Sequence, residues 1–330
     1  MSSLKLFSIT MFNIFTPKAG HDTYATAPSV MEQPRSIMAV PQGPRIQKRS
    51  TGHKRCLFIG INYFGQPLEL SGCVHDAYTL KSFLTYNYSL PIDADHVRIM
   101  TDEPCNEGTS LYPTRDNILA SLKWLVDGAQ PGDQLLLHYS GHGGLKRNLD
   151  GTETSGFDQT MYPVDFEDAG FIDDNEIHAA VVIPLAAGVQ LTALLDCCHS
   201  GTLMDLPYCY ANGVAISATK DLQASMGLCG SSLFTPFRSS VSHYAKETDA
   251  ATVVCFSSCQ DEQSSMDVCY PDAGCFGVMS RAWVNVLRMS PNATYAEIMA
   301  SVEKELSRFG QTPCLSSNKP VDLKAIRFHL

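Results

Sequence analysis

Across 330 residues no apolar run approaches the length of a membrane span, which takes about 20 consecutive apolar residues. No spanning helix is expected. The 12 cysteines include no CxxC pair and no zinc-finger spacing, which argues against a zinc ribbon or a thioredoxin-type redox motif. No internal repeat is visible. Basic residues are in deficit, 24 Lys and Arg against 34 Asp and Glu, for a net charge of −10. Such a body is a poor nucleic-acid binder. Leu6 to Phe15 is mildly apolar behind Lys5, but Ser8, Thr10 and Asn13 interrupt it. No small-x-small cleavage pattern follows, so a signal peptide is not expected. Ser2 does not supply the glycine that N-myristoylation uses.

What is present describes a globular chain, 44% hydrophobic and 18% charged. Its length suits one large domain or two small ones. Charge is uneven. Residues 1–55 carry eight basic and two acidic side chains, a net +6 that leaves −16 on the rest. Residues 1–53 hold Pro17, Pro28, Pro34, Pro41 and Pro44 without sustained periodicity, and read as a flexible basic arm. Cys56 and Cys255 sit inside apolar runs, as buried free thiols do. A reducing, cytoplasmic setting is expected.

From Arg55 onward, strands and helices alternate. Apolar runs at Arg55–Ile61, His96–Met100, Gln134–Tyr139, Leu191–Leu195 and Thr252–Ser258 read as strands. Helical spacing marks Cys73–Tyr86, Asp174–Val182, Cys275–Leu287 and Tyr295–Phe309, and a helix opening at a Thr114 cap. Residues 145–157 are expected to be a mobile loop, Gln159–Val164 a short strand and 207–249 an irregular connection. The alternation predicts an α/β fold, with a central, mostly parallel sheet of about six strands between helices.

Two stretches carry the chemistry. Leu191–Leu195 leads into Asp196-Cys197-Cys198-His199-Ser200-Gly201, and Gln134–Tyr139 leads into Ser140-Gly141-His142-Gly143-Gly144. In open α/β sheets, ligands bind at the carboxyl edge of the strands. If these two strands are neighbours, a thiol and His142 meet there, as cysteine nucleophilic catalysis requires. Cys198 taken alone has the alternative reading of an inert buried thiol. His199 reads as a turn histidine. A zinc site from Cys197, Cys198, His199 and His142 is disfavoured, because adjacent residues of a strand point to opposite faces.

The segments His138-Tyr139-Ser140-Gly141-His142-Gly143 and Asp196-Cys197-Cys198-His199-Ser200-Gly201 resemble the two catalytic signatures of the metacaspases, caspase-like cysteine peptidases. The resemblance runs from about Arg55 to the end of the chain, and its layout is similar to the short type I and kinetoplastid-like forms. It implies a caspase-like three-layer sandwich over residues 54–330, with a large-subunit-like part at 54–206 and a small-subunit-like part at 250–330. It implies His142 and Cys198 as the dyad. Backbone amides of Cys198 and Gly143 would face the oxyanion. It also implies a pocket of Asp76, Asp196, Ser140 and Cys73. Two buried carboxylates are costly unless a cation joins them, so cleavage after Arg or Lys is expected. Asp76 read plainly is a helix-start charge, and Asp196 a turn cap.

The resemblance further implies a calcium-activation site at Asp158, Asp174, Asn175 and Asp205. Asn175 stands where a fourth aspartate belongs, and Asp173 beside it could substitute. Ordinary loop aspartates are the alternative. Lys48, Arg49, Lys54, Arg55, Lys220 and Lys246 are candidate self-cleavage points, and a monomer is expected. The competing functional readings are a pseudopeptidase scaffold, suggested by Asn175, and a thiol hydrolase or transferase that is not a peptidase.

Overall fold

The first apolar run forms strand β1, Lys54–Gly60, in a computed structural model that describes residues 52–148, 157–198, 200–211, 214–217, 251–258, 267–270 and 274–330. β1 lies between β2 (Val97–Thr101) and β3 (Gln134–Ser140), parallel to both. β3 pairs in parallel with β7 (Gln190–Asp196), and β7 with β10 (Thr252–Ser257). Beyond β10 the sheet turns antiparallel through β13 (Cys314–Ser317), β8 (Tyr208–Ala211) and β9 (Val214–Ser217). The full order is β2-β1-β3-β7-β10-β13-β8-β9, eight strands. The expected count was about six. The added edge strands have four residues each, too few for an alternating pattern to show in the sequence. β8 and β9 lie inside the segment expected to be irregular.

Two apolar layers cover the sheet, which is why its central strands read as continuous hydrophobic runs. Cys56, Phe58, Leu136, Leu194, Val254 and Phe256 pack under α1 (Cys73–Tyr88), α5 (Val278–Met289) and α6 (Tyr295–Leu306), around the buried Trp283. Leu57, Ile59, Leu135, Leu137, Leu191 and Leu195 face the other way, onto α2 (Arg115–Val126) and α4 (Asp174–Val181). The alternation along each strand sends successive side chains to opposite layers. The result is the expected α/β sandwich with a mostly parallel sheet.

Helix starts follow local chemistry. Thr114 accepts from the Asn117 N–H at 3.4 Å, and Asp173 with Glu176, and Thr294 with Glu297, form capping boxes. A second small sheet joins β4 (Gly143–Arg147), β5 (Phe157–Met161) and β6 (Ile172–Asp173). β4 thus replaces the start of the expected loop at 145–157. The short α3 spans Phe166–Ala169. β11 (Asp267–Tyr270) and β12 (Gly274–Gly277) form a hairpin, so α5 begins at Val278 and not at Cys275.

Lys54 and Arg55 are corrected as cleavage candidates. Both lie within β1. Lys54 Nζ donates to Tyr88 O at 2.7 Å, and Arg55 donates to Trp124 O at 2.7 Å and Asp127 O at 2.8 Å. A bond held in a sheet cannot enter a peptidase cleft without unpairing the strand. Lys48, Arg49, Lys220, Lys246 and His199 lie outside the described residues, as do the arm up to residue 51 and most of 207–249. Eight described cysteines are outside disulfides, Cys56 and Cys255 among them, both buried. Burial pushes the Cys255 thiol up to about 12. Cys275 departs from the free-thiol expectation: it is disulfide-bonded, and Cys269 stands opposite it in the hairpin register.

Candidate active site

Parallel pairing of β3 and β7 sets Ser140 directly opposite Asp196. The chain leaves both strands at that point, so His142-Gly143 and Cys197-Cys198 emerge side by side. A Cβ on Gly143 would lie 2.1 Å from the Cys198 carbonyl oxygen. Only glycine permits that approach. Cys197 is wholly buried, whereas Cys198 is partly open. Of the two thiols, Cys198 is the one a substrate can reach.

His142 is pinned at three points. Its backbone N–H donates to the Tyr63 hydroxyl at 2.9 Å, and its carbonyl accepts from the Tyr139 hydroxyl at 2.6 Å. Its Nε2 is 2.7 Å from the Leu68 carbonyl. A carbonyl can only accept, so Nε2 carries the hydrogen and Nδ1 holds the basic lone pair. The ring lies 4.7 Å from the Tyr63 ring and 6.1 Å from that of Tyr162, centroid to centroid. Burial and the neighbouring Cys198 push the Tyr162 phenol up, and burial does the same, strongly, for Tyr63 and Tyr139. All three are neutral hydroxyls that orient without adding charge. Leu68, Tyr63, Tyr139 and Tyr162 escaped the sequence reading, because nothing local marks a carbonyl or a phenol as a histidine's support.

The acidic pair is equally well defined. Asp76, in the first turn of α1, is 2% exposed, and Asp196, at the end of β7, is 4% exposed. Asp76 Oδ2 accepts from Ser140 Oγ at 3.0 Å and from Gly277 N–H at 2.8 Å. Asp196 Oδ2 accepts from Ser280 N–H at 2.8 Å. A Cβ on Gly277 would stand 2.3 Å from Asp196 Oδ2 and 2.7 Å from Asp76 Oδ2. Both carboxylates therefore converge on one point at the start of α5. Gly277 has no side chain to cap that helix, and the two aspartates fill the role from α1 and β7, where the helix's positive end favours them. The expectation that only an incoming cation could make this pair tolerable is thus corrected: part of the charge is already balanced. Cys73, expected in the same pocket, is buried at the start of α1, where its thiol bears on the Tyr63 and Tyr139 phenols. Gly277 and Ser280 were not legible, since the run from Cys275 read as uninterrupted helix. His138 completes the surround. Its Nε2 lies 3.0 Å from Ser280 Oγ, and burial lowers it to about 3.

Residues 54–207 match the family model for the metacaspase peptidase C14 domain. Metacaspase-1A of Neurospora crassa is 38% identical over 308 residues, 86% of this chain and 67% of that protein. Metacaspase-1 of Saccharomyces cerevisiae is 38% identical over 317 residues, 88% and 72% of the two chains. This chain belongs to the metacaspase family. That family is one of cysteine peptidases, and the caspase-like architecture agrees with it. A solved protein from Geobacter sulfurreducens shares the fold alone, with a TM-score of 0.53 and 20% identity over 84% of this chain and 97% of that one. Among the described residues no helix is long and apolar enough to cross a membrane.

The calcium set expected of a metacaspase is only partly gathered. Asp174 is fully buried, and its Oδ2 accepts from the N–H of Gln159, the neighbour of Asp158, at 3.2 Å. Asp158 Oδ1 accepts from Asn148 at 2.7 Å. Asp173 is occupied by Lys146 at 3.2 Å and by its capping box. Asn175 is exposed, and Asp205 sits in a turn with φ of 48°. Among the described residues no three Asp, Glu, His or Cys side chains converge as metal ligands. Calcium takes six to eight oxygens, of which Asp158 and Asp174 would supply carboxylates.

Proposed function

We propose that the chain is an endopeptidase that cuts after Arg or Lys, with His142 and Cys198 as its dyad. The observation that carries the specificity is the convergence of Asp76, Asp196 and Ser140 at the strand edge from which Cys198 emerges. The Cys198 thiol passes its proton to His142 Nδ1, and the thiolate attacks the carbonyl carbon of the basic residue. Backbone N–H groups of Cys198 and Gly143 face the oxyanion. The imidazolium returns the proton to the leaving amine as the C–N bond breaks. Water then hydrolyses the thioester and frees the enzyme. Leu68 holds the imidazole in the tautomer this requires.

Calcium is proposed as an activator on family resemblance, with Asp158 and Asp174 as carboxylate ligands; Asp174 already accepts from the N–H of Gln159 beside Asp158. Self-processing is proposed at Lys48, Arg49, Lys220 or Lys246, to be read by sequencing new N-termini. A cytoplasmic monomer completes the reading. The test is turnover of an Arg-P1 against an Asp-P1 peptide, with and without Ca²⁺, together with covalent labelling by an Arg-P1 inhibitor. Labelling at Cys198 that vanishes in His142→Ala supports the peptidase. A protein that neither turns over nor labels with calcium present is a scaffold instead.

A further inference from the structure

Residues of α1 and α5 line a cavity of about 210 Å³, which neither Ser140 nor Asp196 lines. Its lining includes Asp76, Phe276 and Ser280, together with His75, Arg281 and Arg288. Arg281 and Arg288 lie two helical turns apart on one face of α5, about 10 Å along the axis. On a body whose net charge is strongly negative, this is a local concentration of cations.

Among the described residues, neither guanidinium meets a carboxylate, although four ion pairs occur elsewhere. Both are held by aromatic rings instead. Arg281 lies 3.9 Å from the centroid of Phe276, and Arg288 6.0 Å from that of Phe83. A guanidinium held through its face keeps its N–H donors, which lie in its plane, available for other partners. Arg288 Nε is buried and has no hydrogen-bond partner, which is costly unless an acceptor arrives. The one carboxylate in the lining is Asp76, whose Oδ2 already accepts from Ser140 and Gly277.

We propose that this cavity is a binding site for a small oxyanion, phosphoryl or carboxylate, held by the forks of Arg281 and Arg288. Planar guanidinium groups match both kinds of anion in bidentate fashion. The volume lies below the range of about 300–1,000 Å³ that takes drug-sized ligands, so the ligand is an anion of phosphate or pyrophosphate size. Asp76 hangs from α1, and its partner Gly277 N–H and the Asp196 donor Ser280 N–H belong to the start of α5. An anion held on α5 beside Asp76 of α1 therefore bears on the spacing of the acidic pair. That consequence rests on the proposed Arg/Lys specificity; binding itself does not.

The test is thermal denaturation of the full chain titrated with inorganic phosphate, pyrophosphate or glutarate, ionic strength being held constant with sodium chloride. A saturable rise in Tm is expected with at least one of the three. Affinity should fall at least tenfold in Arg288→Ala, and less in Arg288→Lys, which keeps the charge without the fork. Arg308→Ala, on an exposed pair with Glu305, should bind as the parent does. Which anion binds best distinguishes a phosphoryl ligand from a peptide carboxylate. No saturable shift, or equal affinity in the parent and Arg288→Ala, overturns the proposal. Because the readout is binding, an inactive peptidase leaves it intact.

Discussion

Gly277→Ala inserts one methyl group between two buried carboxylates. The backbone tolerates it, since Gly277 has a φ of −73°, an ordinary value for any residue. The new Cβ would meet Asp196 Oδ2 at 2.3 Å and Asp76 Oδ2 at 2.7 Å. At least one carboxylate must move by nearly 1 Å, and it then loses a backbone N–H from Gly277 or Ser280. A hydrogen bond to a charged group contributes about 1.5–3 kcal/mol, and a misplacement of that size costs ~10²-fold in rate. We expect kcat/KM on an Arg-P1 peptide to fall about 100-fold, with stability lower by the ~1–3 kcal/mol typical of overpacking. Alkylation of Cys198 by iodoacetamide should proceed at the parent rate, because neither dyad residue is touched. A variant that keeps its parent kcat/KM would refute the reasoning, since the carboxylates would then not form the basic-residue pocket.

Tyr139→Phe removes the hydroxyl that holds the His142 carbonyl; steady-state kinetics should show kcat reduced roughly tenfold with KM nearly constant, as for a group that orients the base. His138 makes stability depend on acid. Its folded-state value, lowered to about 3, lies below the ordinary value of about 6.5, so between those limits the unfolded chain binds the extra proton. Stability should therefore decline as pH falls through that window, by up to roughly 4–5 kcal/mol. Urea titrations should show a shallower decline in His138→Gln, and an unchanged pH slope in that variant would sink the assignment.

The central strands were legible because burial on both faces leaves a continuous apolar signal, as in Gln134–Ser140 and Gln190–Asp196. The placement of His142 and Cys198 was legible for a related reason: each follows its strand directly, so strand adjacency carries both to one edge. The helix starts at Thr114 and Asp173 announce themselves through local cap chemistry. Short edge strands such as Cys314–Ser317 do not, because their pairing depends on a neighbour far along the chain.

The amino-acid order by itself determined the sheet's core and pointed to Cys198, His142 and Asp196 at one strand edge. Those features are written in runs and motifs that need only near neighbours. Tertiary structure alone decided which carbonyl sets the imidazole tautomer and that the start of α5 holds the acidic pair. It also decided that Arg281 and Arg288 line one cavity with Asp76. Each of these joins groups 74 to 213 positions apart, at Leu68 and His142, Asp76 and Gly277, His75 and Arg288. Spatial proximity of that kind is created by packing and leaves no periodic trace along the chain.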